Sequence, residues 1–130
     1  LNIYFEARNQ PIHGQVAVTQ VVLNRVADHR YPDRVCDVVY QAKKNRSGRM
    51  IKHKCQFSWY CDGKKDIPKD TDAFRWAYHI ALGVMYGVYP DLVRGATHYH
   101  SNKVSPEWAK SKEKTAVIGD HLFFKWADEY

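Results

Sequence analysis

The chain has 130 residues, 45% of them hydrophobic and 14% aromatic, which is enough apolar mass to close a core and excludes a disordered tail. Twenty Lys and Arg against fourteen Asp and Glu give a net charge of +6, favouring an anionic partner such as nucleic acid, an acidic membrane surface or the bacterial wall. No run approaches the ~20 uninterrupted apolar residues that span a bilayer, so no stable membrane insertion is expected: Thr19, Gln20, Asn24 and Arg25 break the longest apolar stretch, Val16 to Val26.

A sequence that opens on Leu1 rather than Met is read as a trimmed or processed piece, which leaves room for an export signal having been removed. Leu1 to Arg8 reads as a short helix or helix end stopped by Pro11, which leaves Glu6 near a helix C-terminus, directly after Ile3, Tyr4 and Phe5. A carboxylate beside such side chains loses hydration. Its ionised form is penalised, and its pKa rises toward the range where it donates a proton at neutral pH; the plain alternative is a solvated surface Glu. Gly14 to Asp28 then carries Val16, Ala17, Val21, Leu23 and Val26 at helical spacing with wide apolar coverage, the pattern of a buried central helix.

"YPDRVCDVVYQ" reads as a Pro-initiated turn and short helix, with Asp33 as a cap and Val35, Val38 and Val39 facing inward. From Lys43 to Lys65 the helical period disappears. There "CQFSWYCDG" alternates aromatics up to Gly63, predicting a short hairpin or an extended loop lining a cleft, the natural place for substrate contacts. After Pro68, Asp70 to Asp72 cap a helix whose apolar positions are Phe74, Ala77, Ala81, Val84, Met85 and Val88; Gly87 and Pro90 end it. "GATHYHS", residues 95–101, is short and β-like, Pro106 starts a turn through Trp108, and "AVIGDHLFFKW" sets a Gly-Asp turn before a final strand or loop. No repeat, linker or low-complexity segment divides the chain, so residues 1–130 are expected to form one domain. The basic segments Lys43–Lys54 and Lys103–Lys114 read as solvated loops rather than an ordered binding stripe.

Of the three cysteines, Cys55 and Cys61 could close a small disulfide loop, as in an exported domain, with Cys36 free or competing for pairing. The spacing leaves the choice open. No C-x-x-C pair or fourth ligand at a usual spacing suggests structural zinc, and no cysteine sits in a nucleophile turn.

Four signatures stand in order: "YFEARNQPIHGQVAVTQVVLNRV", "YPDRVCDVVYQ", "CQFSWYCDG" and "GATHYHSNKVSPEWAKSKEKTAVIGDHLFF". Together they resemble the SleB/CwlJ family of bacterial cell-wall hydrolases, with E-A-R, G-Q-x-A-V, V-L-N-R-V, Q-F-S and I-G-x-H in the family's order. The resemblance implies a mainly helical α+β, lysozyme-like domain with a small β element beside a substrate cleft. It also implies action on peptidoglycan glycan strands outside the cytoplasmic membrane, in the periplasm, wall or medium, with Glu6 as the catalytic acid and no cofactor. Many members read E-A-R-G-E; here Asn9 and Gln10 follow Arg8, so the second acid is missing. Glycosidases pair two carboxyl groups, about 5–5.5 Å apart for retention and ~6.5–9.5 Å apart for inversion. A lytic transglycosylase needs only one, because the substrate's own C6 hydroxyl is the nucleophile.

Candidate glycan contacts lie within the same motifs. Gln15 is placed to orient the acid or an acetamido group, or is a solvated helix-start residue. Phe57 and Ser58 offer a stacking face and a hydroxyl, with core packing the alternative for Phe57, and Trp59 is the tryptophan inside a cleft-forming motif. His98, Tyr99 and His100 are expected on a strand with one face lining the cleft. H-x-H also places two imidazoles on one face as zinc ligands do, but no third ligand falls at a recognised spacing. Asn24 and His121 are read as structural hydrogen-bonders. Two other functions compete: a zinc-dependent wall amidase using His98 and His100, and a non-catalytic wall-binding module. A nucleic-acid binder lacks any recognised motif.

Overall fold

The computed structural model describes residues 1–44 and 46–127. Its helices are α1 (Asn2–Ala7), α2 (Ile12–Ala27), α3 (Val35–Val39) and α4 (Thr71–Met85), and its strands are β1 (Ala42–Lys44), β2 (Met50–Cys55), β3 (His98–Ser101), β4 (Lys112–Ile118) and β5 (His121–Trp126). Strands β1 and β2 pair as an antiparallel hairpin, and β3, β5 and β4 form a second antiparallel sheet in that order.

Helix α2 is the axis of the molecule, as its wide apolar coverage predicts. Val16 packs with Ile3 and Tyr4 of α1 and with Ala77, Ile80 and Val84 of α4. One step along, Ala17 and Val21 meet Val93, Ala96 and Phe123 beneath the three-stranded sheet. Val22 joins Val38, Val39, Phe57 and Trp59 on a third side. A helix in contact on three sides must be apolar nearly all round, which is why its sequence shows no clean polar stripe. Gly14 permits its entry: a Cβ there would lie 3.0 Å from the Gln10 side chain.

Asp70 caps α4 through its side chain, accepting from the Ala73 N–H at 3.0 Å, as expected. Ala77, Ile80 and Val84 form its buried face, whereas Met85 and Val88 are 59% and 70% exposed. The helical register stops at Met85, and Gly87 at φ 72° turns the chain, carrying Val88 off the face that the spacing assigned to it. At α3 the N-cap is Arg34, without a side-chain cap bond, so Asp33 does not serve as predicted. Val38 and Val39 are buried and Val35 partly so.

The "CQFSWYC" stretch is neither a hairpin nor extended. A disulfide joins Cys55 to Cys61, and residues 58–61 between them wind into a 3₁₀ turn. The alternation survives as burial: Phe57, Trp59 and Cys61 point in while Ser58 stays exposed. The hairpin lies just before it, in β1 and β2. The Lys43–Lys54 segment is therefore largely β-strand rather than loop; Asn45 and the side chains of Lys43, Lys44, Met50 and His53 lie outside the described residues, as do residues 128–130. Lys103–Lys114 likewise holds a 3₁₀ turn, Glu107–Ser111, and the start of β4. The Gly119-Asp120 turn joins β4 to β5 as predicted, with Gly119 at φ 56°. Cys36 is exposed and its thiol is free.

Candidate active site

Glu6 sits in the last turn of α1, which rests on α2 and α4 through Ile3 and Tyr4. Its carboxylate meets a groove of ≈ 800 Å³ lined by Phe5, Ser58 and Trp59 and by the loop of residues 62–70. Burial raises its pKa, favouring the protonated acid; the Tyr99 hydroxyl and the charge of Arg25 pull the other way. Tyr99 reaches it from β3, donating its O–H to Glu6 Oε1. Burial, and then the neighbouring carboxylate, push the Tyr99 pKa well above its ordinary 10, so that donor keeps its proton.

Arg25 is the member of the site that sequence reasoning missed. It is 6% exposed, donates Nε–H to the Thr97 carbonyl at 2.7 Å, and lies over the rings of Tyr31 (5.3 Å) and Phe57 (5.2 Å). Its charge favours ionisation of Glu6, while burial penalises the guanidinium. The available signal was a cation inside the apolar-rich "VVLNRV" run, since a charge carried into a core must find carbonyls, rings or a carboxylate. Beside it Asn24 donates to the Ala96 carbonyl at 2.8 Å, the structural role expected of it.

The acid and the groove thus gather Glu6, Ser58, Trp59 and Tyr99, though two of these differ from expectation. Trp59 is 5% exposed, its ring stacks on Phe5 at 4.9 Å and its Nε1–H donates to Asn2 Oδ1, so it is a wall of the groove rather than a free sugar platform. Tyr99 spends its hydroxyl on Glu6 instead of on a ligand.

Four other expected contacts lie elsewhere. Phe57 is 3% exposed within the core formed with α2 and α3, so its ring faces are covered. Gln15 is buried, and its Nε2 donates to the Gln10 carbonyl at 3.1 Å, because the second turn of α2 faces inward. His98 and His100 leave β3 on the face opposite Tyr99, as strand alternation requires, and pack among Trp108, Phe124 and Trp126. Their Nδ1 atoms are hydrogen-bonded to Thr97 Oγ1 (2.9 Å) and the Ser101 carbonyl (2.7 Å). Among the described residues no three His, Cys, Asp or Glu side chains converge on a metal position. His121 packs its ring against Tyr99 at 5.1 Å, behind the acid; its Nδ1 is buried without a hydrogen-bond partner.

Gln10, where the resemblance places the second acid, turns away to the β4–β5 turn. Its Oε1 accepts from the Asp120 N–H at 3.2 Å and its Nε2 donates to Asp120 Oδ2 at 3.3 Å. A Glu here would set two carboxylates face to face, so the amide suits this turn.

Residues 9–124 match the Cell Wall Hydrolase family over most of the chain. This chain belongs to that family. The chain is 44% identical over 124 residues to a spore cortex-lytic enzyme of Oceanobacillus iheyensis, covering 95% of this chain and 38% of that protein. It is 30% identical over 122 residues to the spore cortex-lytic enzyme of Halalkalibacterium halodurans, covering 93% and 32%. The chain therefore spans only about a third of the length of such relatives. Among solved structures the chain superposes on the catalytic domain of the germination-specific lytic transglycosylase SleB from Bacillus anthracis with a TM-score of 0.69 at 26% identity, covering 95% of this chain and 88% of that one. The catalytic domain of Bacillus cereus SleB gives 0.68 at 28% identity, covering 95% and 84%. The α+β architecture with a small sheet beside the helices is thus that of the SleB catalytic domains. No helix among the described residues is long and apolar enough to cross a membrane.

Proposed function

We propose that residues 1–130 act as one catalytic domain that cleaves peptidoglycan glycan strands outside the cytoplasmic membrane, by lytic transglycosylation with Glu6 as the single acid and base. One observation carries this reading: a carboxyl group held toward its neutral form at a groove of ≈ 800 Å³, with Tyr99 and Arg25 beside it. The resemblance of the whole domain to a lytic transglycosylase supports the same chemistry.

In the first half-reaction Glu6 gives its proton to the glycosidic oxygen, the C1–O bond breaks, and positive charge develops on the N-acetylmuramoyl ring. The carboxylate left behind is stabilised by the Tyr99 O–H and the Arg25 charge. In the second half, the C6 hydroxyl of the same sugar attacks C1, and its proton returns to Glu6. A 1,6-anhydro end forms, no water is consumed and the acid is regenerated. Burial makes Glu6 an acid at the start, and its two polar neighbours limit the cost of its becoming a base.

Glu6→Gln keeps the shape and an acceptor for Tyr99 but removes the proton, so clearing of sacculi should fall by about 10²- to 10⁴-fold with circular dichroism unchanged. Mass spectrometry of the wild-type digest should find anhydro-muramoyl ends. Equal clearing by the variant, or reducing muramoyl ends throughout, would refute the proposal.

A further inference from the structure

The groove carries more charge than glycan cleavage requires. Hydroxyl, acetamido and acetal groups of a glycan strand are uncharged, yet Arg8, Lys64, Lys65 and Lys69 all line the groove and are all exposed. Among the described residues none of the four forms an ion pair. Asp62, Asp66 and Asp70 share the groove, and among the described residues none of them is ion-paired with these cations. Asp62 accepts from the Lys64 N–H at 2.8 Å, and Asp70 accepts from the Ala73 N–H at 3.0 Å. Loss of hydration and the nearby charge of Asp62 raise the pKa of Asp66 from its ordinary value.

The cations are also anchored from below. The disulfide Cys55–Cys61 secures the start of their loop, and the Tyr4 hydroxyl accepts both the Lys69 and Asp70 N–H groups at 3.0 and 2.9 Å. Arg8 lies 4.6 Å above the Tyr4 ring. The result is a basic rim on a fixed frame, beside the acid. On a glycan strand, negative charge at such a position comes from the substituents of the muramoyl residues, whose lactyl groups carry peptide stems ending in carboxylates.

Resting on the reading of this groove as a glycan cleft, we infer that Arg8, Lys64, Lys65 and Lys69 form a carboxylate-recognition rim that selects strands bearing acidic peptide stems over strands whose muramoyl substituents are neutral. The rim contributes to binding, while Glu6 performs the bond cleavage.

The test compares native sacculi with the same sacculi after their carboxylates are converted to neutral methylamides by carbodiimide coupling. On native sacculi K64Q/K65Q/K69Q should lose about tenfold in kcat/KM through a higher apparent KM, the size of effect that a few exposed charge contacts produce. The all-arginine variant K64R/K65R/K69R should recover the wild-type value. On amidated sacculi the wild type should fall by at least the same factor and the glutamine variant, which keeps Arg8, by much less, and added salt should raise KM more for the wild type than for that variant. Wild-type behaviour of the glutamine variant on native sacculi, or an equal loss on both substrates, would overturn the rim. The parent reading fails separately, if Glu6→Gln cleaves as well as wild type.

Discussion

On the proposed mechanism a single carboxyl group serves as acid and then as base, and its neighbours divide these opposing demands. Burial favours the neutral form of Glu6, whereas the Tyr99 hydroxyl and the Arg25 charge favour the ionised one. Tyr99→Phe removes one favourable contact to the anion and leaves the ring in place. The Glu6 pKa should rise further, moving the alkaline limb of the activity profile to higher pH. At the same time kcat should drop about tenfold to a hundredfold, the worth of a hydrogen bond to a charged group, with KM little changed. A pH–rate profile superimposable on wild type would show that Tyr99 does not act through Glu6. The burial of Glu6 and the direction of its pKa shift were legible in the sequence from the apolar residues Ile3, Tyr4 and Phe5 before it. Its partners were not: Tyr99 lies 93 positions away, and its hydroxyl, on a strand expected to line the cleft, donates to the carboxyl group.

Between elements, α1 does two tasks. It presents Glu6 and, through the Tyr4 hydroxyl, ties down the loop that leads into α4. Tyr4 is 1% exposed, so Tyr4→Phe would leave two amide groups without their acceptor and should cost about 1–3 kcal/mol in denaturant unfolding. The same change loosens the frame of the groove and should raise KM more than it lowers kcat. An unchanged unfolding midpoint would mean that water replaces the hydroxyl without penalty. Helical spacing found α2 and α4, and the stop at Pro11 marked α1, because these signals are local to each helix. Periodicity failed at "CQFSWYC", where period-two burial is produced by a 3₁₀ turn closed by a disulfide, a conformation that alternation cannot distinguish from a strand.

Across the whole molecule, two groups make stability depend on pH in opposite senses. Burial first, then the charges of Arg25 and Lys112, bring the His98 pKa from 6.5 down to about 4 against the pull of Asp28. The unfolded chain therefore binds this proton near pH 6.5 and the folded chain only near 4. The contribution is full above 6.5 and is lost as pH falls through that interval. Glu6, with a pKa raised above 4.5, costs nothing below that value and destabilises as pH rises through the raised one. His98→Gln should flatten the fall in melting temperature between pH 6.5 and 4, whatever it does to the absolute value. A slope equal to wild type would exclude His98 as the source.

Local order in the chain was enough to locate the helices, the Gly-Asp turn and an acid beside aromatic residues, because these depend on neighbours three or four positions away. Which face of β3 meets that acid, the burial of Arg25 beside it, and the gathering of Lys64, Lys65 and Lys69 on the groove of Glu6 depend on contacts across the chain. They follow from how α2 packs on three sides at once, and no short stretch of sequence carries that information.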